Sequence, residues 1–386
     1  MKVLSKIALS CCTFALLSLP AFSFDWGGKI TSDTSFKGTN NEALKIKETD
    51  TANLWLSLPL SKDNSKYLAA EGLYQFKFDD STANNKITNT LDLNLFKFVA
   101  NTKFKKARSL SINAGRFGIS DLTGLIFAQN CDGLFLQYSS PRLHANLYGG
   151  YTGLLNANTV TILNNPEGSS YSIGENALYR LAPKYIPFGF NLSLPALFAN
   201  QNLSLQGWGF MDANGDDYNR WYGIIGLDGF VASNVSYSVK SAFESVNFES
   251  LANLSVLNLY CYFTDSFFMN LGGTYASGKS GDISAFTGFT SSTALLSADD
   301  PEYSSLVKAD LGFTKTFGQV VYLNAGAGVA FSLEEENEGY KGLQFEAGAM
   351  YKVFNDLQLG ASFGQFIGKE TENNKTQLAV KAVVVF

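Results

Sequence analysis

Histidine is almost missing from this chain: His144 is the only one in 386 residues. One His cannot build a His-rich zinc site. No Ser/His pattern of a hydrolase accompanies it, so a role lining an interior surface is expected. Charge is also sparse, at 16% of residues with a formal net charge of −5. That excludes the basic footprint of a nucleic-acid-binding protein. After residue 24 the chain has no continuous apolar run of about 18 residues, so no transmembrane helix is expected. It has almost no apolar pattern of period 3.6 either, which argues against a helical enzyme domain. Proline is scarce, with 8 residues. Of the 4 cysteines, Cys11 and Cys12 fall in the leader, with too short an apolar run before them for a lipoprotein signal. Cys131 is expected in a connection and Cys261 on a strand face with Leu257, Leu259 and Phe263. No disulfide between them is expected.

Aromatic residues and glycine are abundant: 32 Phe, 18 Tyr and 35 Gly. Lys2 and Lys6, the apolar run from Ile7 to Leu19 and the small-x-small triplet Ala21-Phe22-Ser23 read as a secretory signal peptide over 1–23. The mature chain is then one domain over 24–386, more acidic for the loss of two lysines. Short runs of period two fill it. Strands are expected near 26–36, 51–60, 66–78, 88–100, 109–116, 133–140, 142–152, 187–198 and 202–211. They continue near 219–228, 234–245, 253–263, 267–277, 306–316, 321–333, 343–353, 357–367 and 377–386. That makes 18, or 16 if Pro187 and Pro195 remove a hairpin.

The connections alternate. Gly153–Ile186, Ser277–Leu306, Leu333–Leu343 and Ile367–Gln377 are long. Ser140-Pro141, Asn200-Gln201, Thr264–Ser266, Phe317–Gln319 and Phe354–Asp356 are short. Short turns on one side and long loops on the other are the habit of bacterial membrane barrels, and a soluble sandwich has no reason to keep it. Both termini then lie on the short-turn, periplasmic side. The faces separate in the same way. Leu54, Leu56, Leu58 and Leu60 share one face, as do Tyr74, Phe76 and Phe78, then Val307, Ala309, Leu311 and Phe313, then Leu343, Phe345, Ala347, Ala349 and Tyr351. Lumen-lining positions include Glu71, Lys77, Lys240, Glu244, Lys308, Asp310, Glu346 and Lys381. A Lys in mid-bilayer costs about 2–4 kcal/mol, which explains the confinement of charge to one face. Phe331, Tyr351 and Phe386 fit interfacial aromatic girdles.

The last stretch, Gln377–Phe386 (QLAVKAVVVF), carries Leu378, Val380, Ala382, Val384 and Phe386 on one face. Here the chain resembles the bacterial outer-membrane β-barrels, whose final strand ends in Phe or Trp. The resemblance implies that this strand, ending at Phe386, is read by the barrel-assembly machinery. The FDWGG start, GRFGISDLTG, the GYTGLL turn and the terminal Phe are similar to those of uncharacterised spirochaetal outer-membrane proteins. That likeness implies location rather than solute.

Other motifs have plainer readings. Gly273–Ser280, GTYASGKS, matches the phosphate-loop pattern, but GDISAFTGF follows where a helix is required. Asp212–Arg220, DANGDDYNR, lacks calcium-loop spacing and reads as a solvated acidic turn. So do Glu334, Glu335, Glu336 and Glu338. Phe117–Asp132 is different. Leu122, Leu125, Ile126 and Phe127 are too apolar for an exposed loop. By resemblance to porins this loop folds into the barrel as a constriction, with Arg116, Asp121 and Asp132 setting the local field. Simple extension of the flanking strands, or packing on a neighbouring loop or subunit, explains the apolar run equally well.

The reading is an all-β transmembrane antiparallel β-barrel of about 18 strands in a bacterial outer membrane. A barrel of that size encloses an aqueous channel. The function expected is passive diffusion of small hydrophilic solutes, with no catalysis, cofactor or metal. Its surroundings are outer-membrane lipid, and no nucleic acid. A homo-trimer is allowed by the resemblance and required by nothing in the chain. Two alternatives stand beside it. One is an adhesin acting through the loops Lys279–Ser305 and Leu154–Glu175. The other is a transporter of hydrophobic substrates, disfavoured because only Phe24 and Asp25 precede the first strand.

Overall fold

Alternation becomes strand almost wherever it occurs. The computed structural model describes residues 24–39, 42–81, 86–160, 162–163, 177–198, 200–290, 295, 303–334 and 338–386. In chain order the strands are β1 (Asp25–Thr39), β2 (Glu42–Pro59), β3 (Lys66–Asp79), β4 (Ile87–Phe104), β5 (Arg108–Ser120), β6 (Ala128–Ser140), β7 (Leu143–Tyr151), β8 (Tyr185–Phe198) and β9 (Gln201–Asp212). Then come β10 (Arg220–Ala232), β11 (Val235–Val246), β12 (Ala252–Thr264), β13 (Phe267–Ala276), β14 (Leu306–Phe317), β15 (Val321–Ser332), β16 (Gly339–Lys352), β17 (Leu357–Gly368) and β18 (Lys375–Val385). Among the described residues the only helical element is the 3₁₀ turn Thr371–Asn373. The leader read in 1–23 lies outside the described residues.

Each strand pairs antiparallel with its sequence neighbours, and β1 pairs with β18. The sheet is therefore a closed 18-stranded barrel with no free edge. The last residue completes the closure. The Gly28 amide donates to the Phe386 carbonyl at 2.8 Å, and the Phe386 amide donates back to Gly28 at 3.0 Å. A Cβ on Gly28 would sit 2.3 Å from the Phe386 ring, so the ring lies over the glycine. Gly28→Leu is expected to push the ring off this seat and reduce the yield of closed barrel. The fraction migrating as folded protein in unheated SDS gels checks it. Gly38→Leu, whose nearest neighbour is a leucine methyl at 3.7 Å, should fold normally.

Two faces result. Leu54, Leu56, Leu60, Tyr74, Phe313, Leu343, Phe345 and Tyr351 are exposed on the outside. The paired register carries each row from strand to strand. Asp33 stands opposite Lys381, and its carboxylate lies 3.8 Å from the lysine nitrogen. Leu378, two rows away from the outward Val380, stands opposite Phe363.

The strand count survives both prolines of β8. The β7–β8 ladder runs only from His144↔Ser193 to Gly149↔Phe188. Pro187 and Pro195 fall just beyond its two ends, where no ladder amide is needed. Some boundaries differ from expectation. β1 and β2 extend until only residues 40–41 separate them, so this connection is short although it lies on the long-loop side. β5 and β6 also run further than expected. Cys131 therefore lies within β6, fully buried, rather than in a connection.

Candidate functional site

The site begins where one hairpin leaves the wall. The β4–β5 ladder ends at Phe96↔Arg116. Above that pair β4 continues along β3, whereas β5 continues only along β6, as far as Ser120↔Ala128. Gly115 forms the hinge. Its φ is +120°, and a Cβ there would lie 2.2 Å from the Phe96 carbonyl oxygen. Only glycine combines that φ with so close an approach of two backbones.

Beyond the hinge the hairpin crosses the lumen. At its tip the Leu122 amide donates to Gln206 Oε1 of β9 at 2.8 Å. Lys240 Nζ of β11 donates to the Leu122 carbonyl at 2.5 Å. Asp121 holds the tip in shape. Its Oδ1 accepts the amides of Ile126 (3.1 Å) and Phe127 (2.9 Å), and its Oδ2 accepts that of Thr123 (2.6 Å).

Two further segments close over this hairpin. The Phe289 amide donates to the Ile126 carbonyl at 2.8 Å, and the Leu163 amide donates to the Phe289 carbonyl at 3.0 Å. Arg220, fully buried, donates to the carbonyls of Gly288 (3.0 Å) and Leu163, and lies against the rings of Tyr185, Tyr218 and Phe289. Glu244, also buried, accepts the Thr287 amide at 2.7 Å and the Tyr222 hydroxyl at 3.2 Å. Phe210 and Phe289 stack with centroids 3.8 Å apart, and Phe127 meets both edge-on. The apolar run of the hairpin is thus buried against the wall of β9–β12 and the loop after β13. Edge-to-face pairs of this kind add about 0.5–1.5 kcal/mol each to area burial.

The charges expected at the constriction are anchors in this arrangement. Arg116 donates twice to Asp132 at 2.8 Å, to Asp92 at 3.3 Å and to the carbonyls of Leu93 (3.1 Å) and Leu154 (2.7 Å). Strand alternation sets Arg116 and Asp132 opposite the buried Phe117 and Cys131. The pair ties β4, β5 and β6 together at the point where the ladder opens. Asp121 is spent on its own loop. The opening itself is covered by residues 154–157 and 177–182. Leu178 accepts the Leu91 amide at 3.0 Å, and Asn156 and Leu181 form a bridge. Leu155 and Ala182 face the interior cluster, whereas Leu154 and Leu181 are exposed.

The remaining inward positions divide into two sectors. Over β1–β4, Glu71 accepts from Asn53 (2.6 Å) and Asn94 (2.7 Å), and Lys77 lies 3.7 Å from Asp79. Over β14–β16, Lys308 lies 2.9 Å from Asp310, and Gln344 donates to Glu346. Here polar side chains lie flat on glycines: a Cβ on Gly312 would meet Asn270 Oδ1 at 2.3 Å, and one on Gly348 would meet Asn324 Oδ1 at 2.5 Å. Side chains that lie over a glycine project little from this sector of the wall. His144 lies on the same face of β7 as Asn146 and Tyr148, and its Nδ1 is hydrogen-bonded to Ser139 Oγ at 2.8 Å. After the GTYASGKS segment the described chain forms no helix. Asp212 accepts the amides of Asn214 (2.8 Å) and Asp216 (2.7 Å), which makes DANGDDYNR a self-satisfied turn. Glu335 and Glu336 lie outside the described residues.

Sequence reasoning missed Arg220 and Gln206 as loop anchors. A signal was present: the inward row of β9 and β10 reads Trp208, Phe210, Tyr222, Ile224, too apolar for a wetted wall.

This barrel has solved counterparts. OccK5 (OpdH) of Pseudomonas aeruginosa aligns with TM-score 0.64 and 11% identity, covering 94% of this chain and 98% of that one. OccAB4 of Acinetobacter baumannii gives 0.63 and 10% over 95% and 98%. OccK11 (OpdR) of Pseudomonas aeruginosa gives 0.62 and 9% over 94% and 96%. At such identities the likeness is one of fold. No family model matches the chain. No curated protein matches it either, and the likeness to spirochaetal proteins gains no support.

Proposed function

We propose that this chain is an outer-membrane channel for passive diffusion of small hydrophilic solutes. One observation carries the reading. A closed 18-stranded barrel is apolar outside and polar inside, and one of its own hairpins narrows it. A barrel wide enough to hold a channel, with an infolded loop setting its bore, needs no catalysis. Its solved counterparts include a protein described as an outer membrane protein, OpdK of Pseudomonas aeruginosa. The solute passes between the hairpin tip and the polar sectors of β14–β16 and β1–β4. Glu71, Lys77, Lys308, Asp310, Glu346 and Lys381 line that path. Both termini face the periplasm, as the short turns do. The Phe386 end fits recognition by the barrel-assembly machinery. A homo-trimer is compatible with the apolar exterior.

The test is single-channel recording of the refolded mature chain in a planar bilayer, with the reversal potential measured across a salt gradient. Stable, weakly selective steps are expected. A folded barrel that passes no current would defeat the proposal.

A further inference from the structure

The short turns are unequal in charge. Three neighbouring ones, on the arc from β2 to β7, are basic. The β2–β3 turn carries Lys62, and Lys66 follows at the start of β3. The β4–β5 turn is Lys105-Lys106-Ala107, framed by Lys103 near the end of β4 and Arg108 at the start of β5. The β6–β7 turn is Pro141-Arg142. All seven cations are exposed. The five short turns from β8 to β17 hold no Lys or Arg between their strands, and two of them hold Asp265 and Asp356. The strand cations near those turns are Lys352 and Lys315, and Lys315 Nζ donates to Ser266 Oγ at 3.1 Å.

Little offsets the charge of the arc. No ion pair among the described residues joins any of its seven cations. Its one acid, Asp63, accepts the Ser65 amide at 3.2 Å and the Ser65 hydroxyl at 2.8 Å. Turn geometry does not account for the lysines either. Lys106 has a φ of +63°, a conformation that Asn or Gly takes more readily. The ladders hold the turns side by side. The Asn101 amide of β4 donates to the Ser65 carbonyl at 2.7 Å. Lys103 stands opposite Ser109, and Ser109 opposite Ser139.

The height of the arc identifies what it meets. Phe104 shares the outward face of β4 with Phe96 and Phe98, and all three are exposed. Leu60 is exposed outside the neighbouring turn. The apolar band therefore reaches these turns. A strand rises about 3.3 Å per residue, so Lys105 and Lys106 lie within about 7 Å of Phe104 along the chain. The headgroup layer is about 5–8 Å deep on each side of a bilayer. The cations thus stand among headgroups, and turns this short reach little beyond them. We propose that this arc is a binding surface for anionic phospholipid headgroups of the periplasmic leaflet. The leaflet follows from the orientation given with the channel reading.

The test uses symmetric bilayers, so neither orientation nor conduction enters it, and the two readings fail separately. The refolded mature chain is reconstituted in phosphatidylcholine. Spin-labelled phosphatidylglycerol and spin-labelled phosphatidylcholine are compared by the fraction that the barrel immobilises. A headgroup facing one of these cations is favoured about fivefold at low salt. Averaged around the barrel, a preference for phosphatidylglycerol of about twofold is expected. At about 1 M salt, where the screening length is about 3 Å, it should fall toward unity. The variant Lys103→Gln, Lys105→Gln, Lys106→Gln, Arg108→Gln should lose most of the preference, and Lys315→Gln, Lys352→Gln should keep it. Heat-modifiability on SDS gels confirms folding. Should the fourfold variant not fold, Lys62→Gln, Lys66→Gln, Arg142→Gln provides the comparison, with a partial loss expected. The proposal is refuted if the two lipids are immobilised alike by the wild-type barrel, if salt leaves the preference unchanged, or if the folded arc variant retains it in full.

Discussion

Replacing Leu122–Ile126 by Asn-Gly is expected to raise single-channel conductance by at least about twofold, because the segment that spans the lumen is removed. The geometry favours a clean deletion. The Asp121 amide already donates to the Phe127 carbonyl at 2.8 Å, so the two ends stand where a two-residue turn joins them. The β5–β6 ladder from Ser109↔Ser139 to Ser120↔Ala128 is untouched. A second change should accompany the first. Lys240 loses the Leu122 carbonyl, and its charge is released into the channel. The reversal potential in a salt gradient should then move toward anion preference. Conductance that stays at the wild-type value would show that the bore is set elsewhere.

Gly115→Val is expected to abolish folding. A β-branched residue at φ +120° carries about 1–3 kcal/mol of backbone strain. Its Cβ would also overlap the Phe96 carbonyl oxygen of the neighbouring strand, at 2.2 Å. A backbone atom held in a ladder cannot step aside, so the hairpin would have to give up its inward course or the β4–β5 ladder would have to break. Gly72→Val is the control, since nothing lies within 4 Å of a Cβ there. Heat-modifiability on SDS gels separates the outcomes. A Gly115→Val protein that folds in wild-type yield would mean that the hinge is not strained.

Both expectations concern the one hairpin whose destination was legible only in part. The apolar letters of Leu122, Leu125, Ile126 and Phe127 announced that this connection could not stay in water. They did not say what covered it. The answer is Phe289, Phe210 and Trp208, together with Gln206 and Lys240. Likewise the charges of Arg116, Asp121 and Asp132 pointed to a functional region. Their geometry makes them fasteners: Arg116 and Asp132 close the point where β4 and β5 part, and Asp121 shapes the tip. An arginine in a sequence looks the same whether its guanidinium faces a channel or two carboxylates.

The sequence by itself determined the wall. Period two, turn residues and the alternation of short and long connections are local signals, and each strand pairs with its chain neighbours, so local order specifies the barrel and its two faces. The closing of β1 on β18 follows from the same alternation once every edge must be satisfied. Only the tertiary structure decided what fills the barrel. Lys240 finds Leu122 across 118 residues, and Ala128 donates to Thr290 across 162. Contacts of that separation leave no period in the chain. They depend on which inner-wall rows are apolar enough to be covered, and on a single glycine that lets one hairpin turn inward.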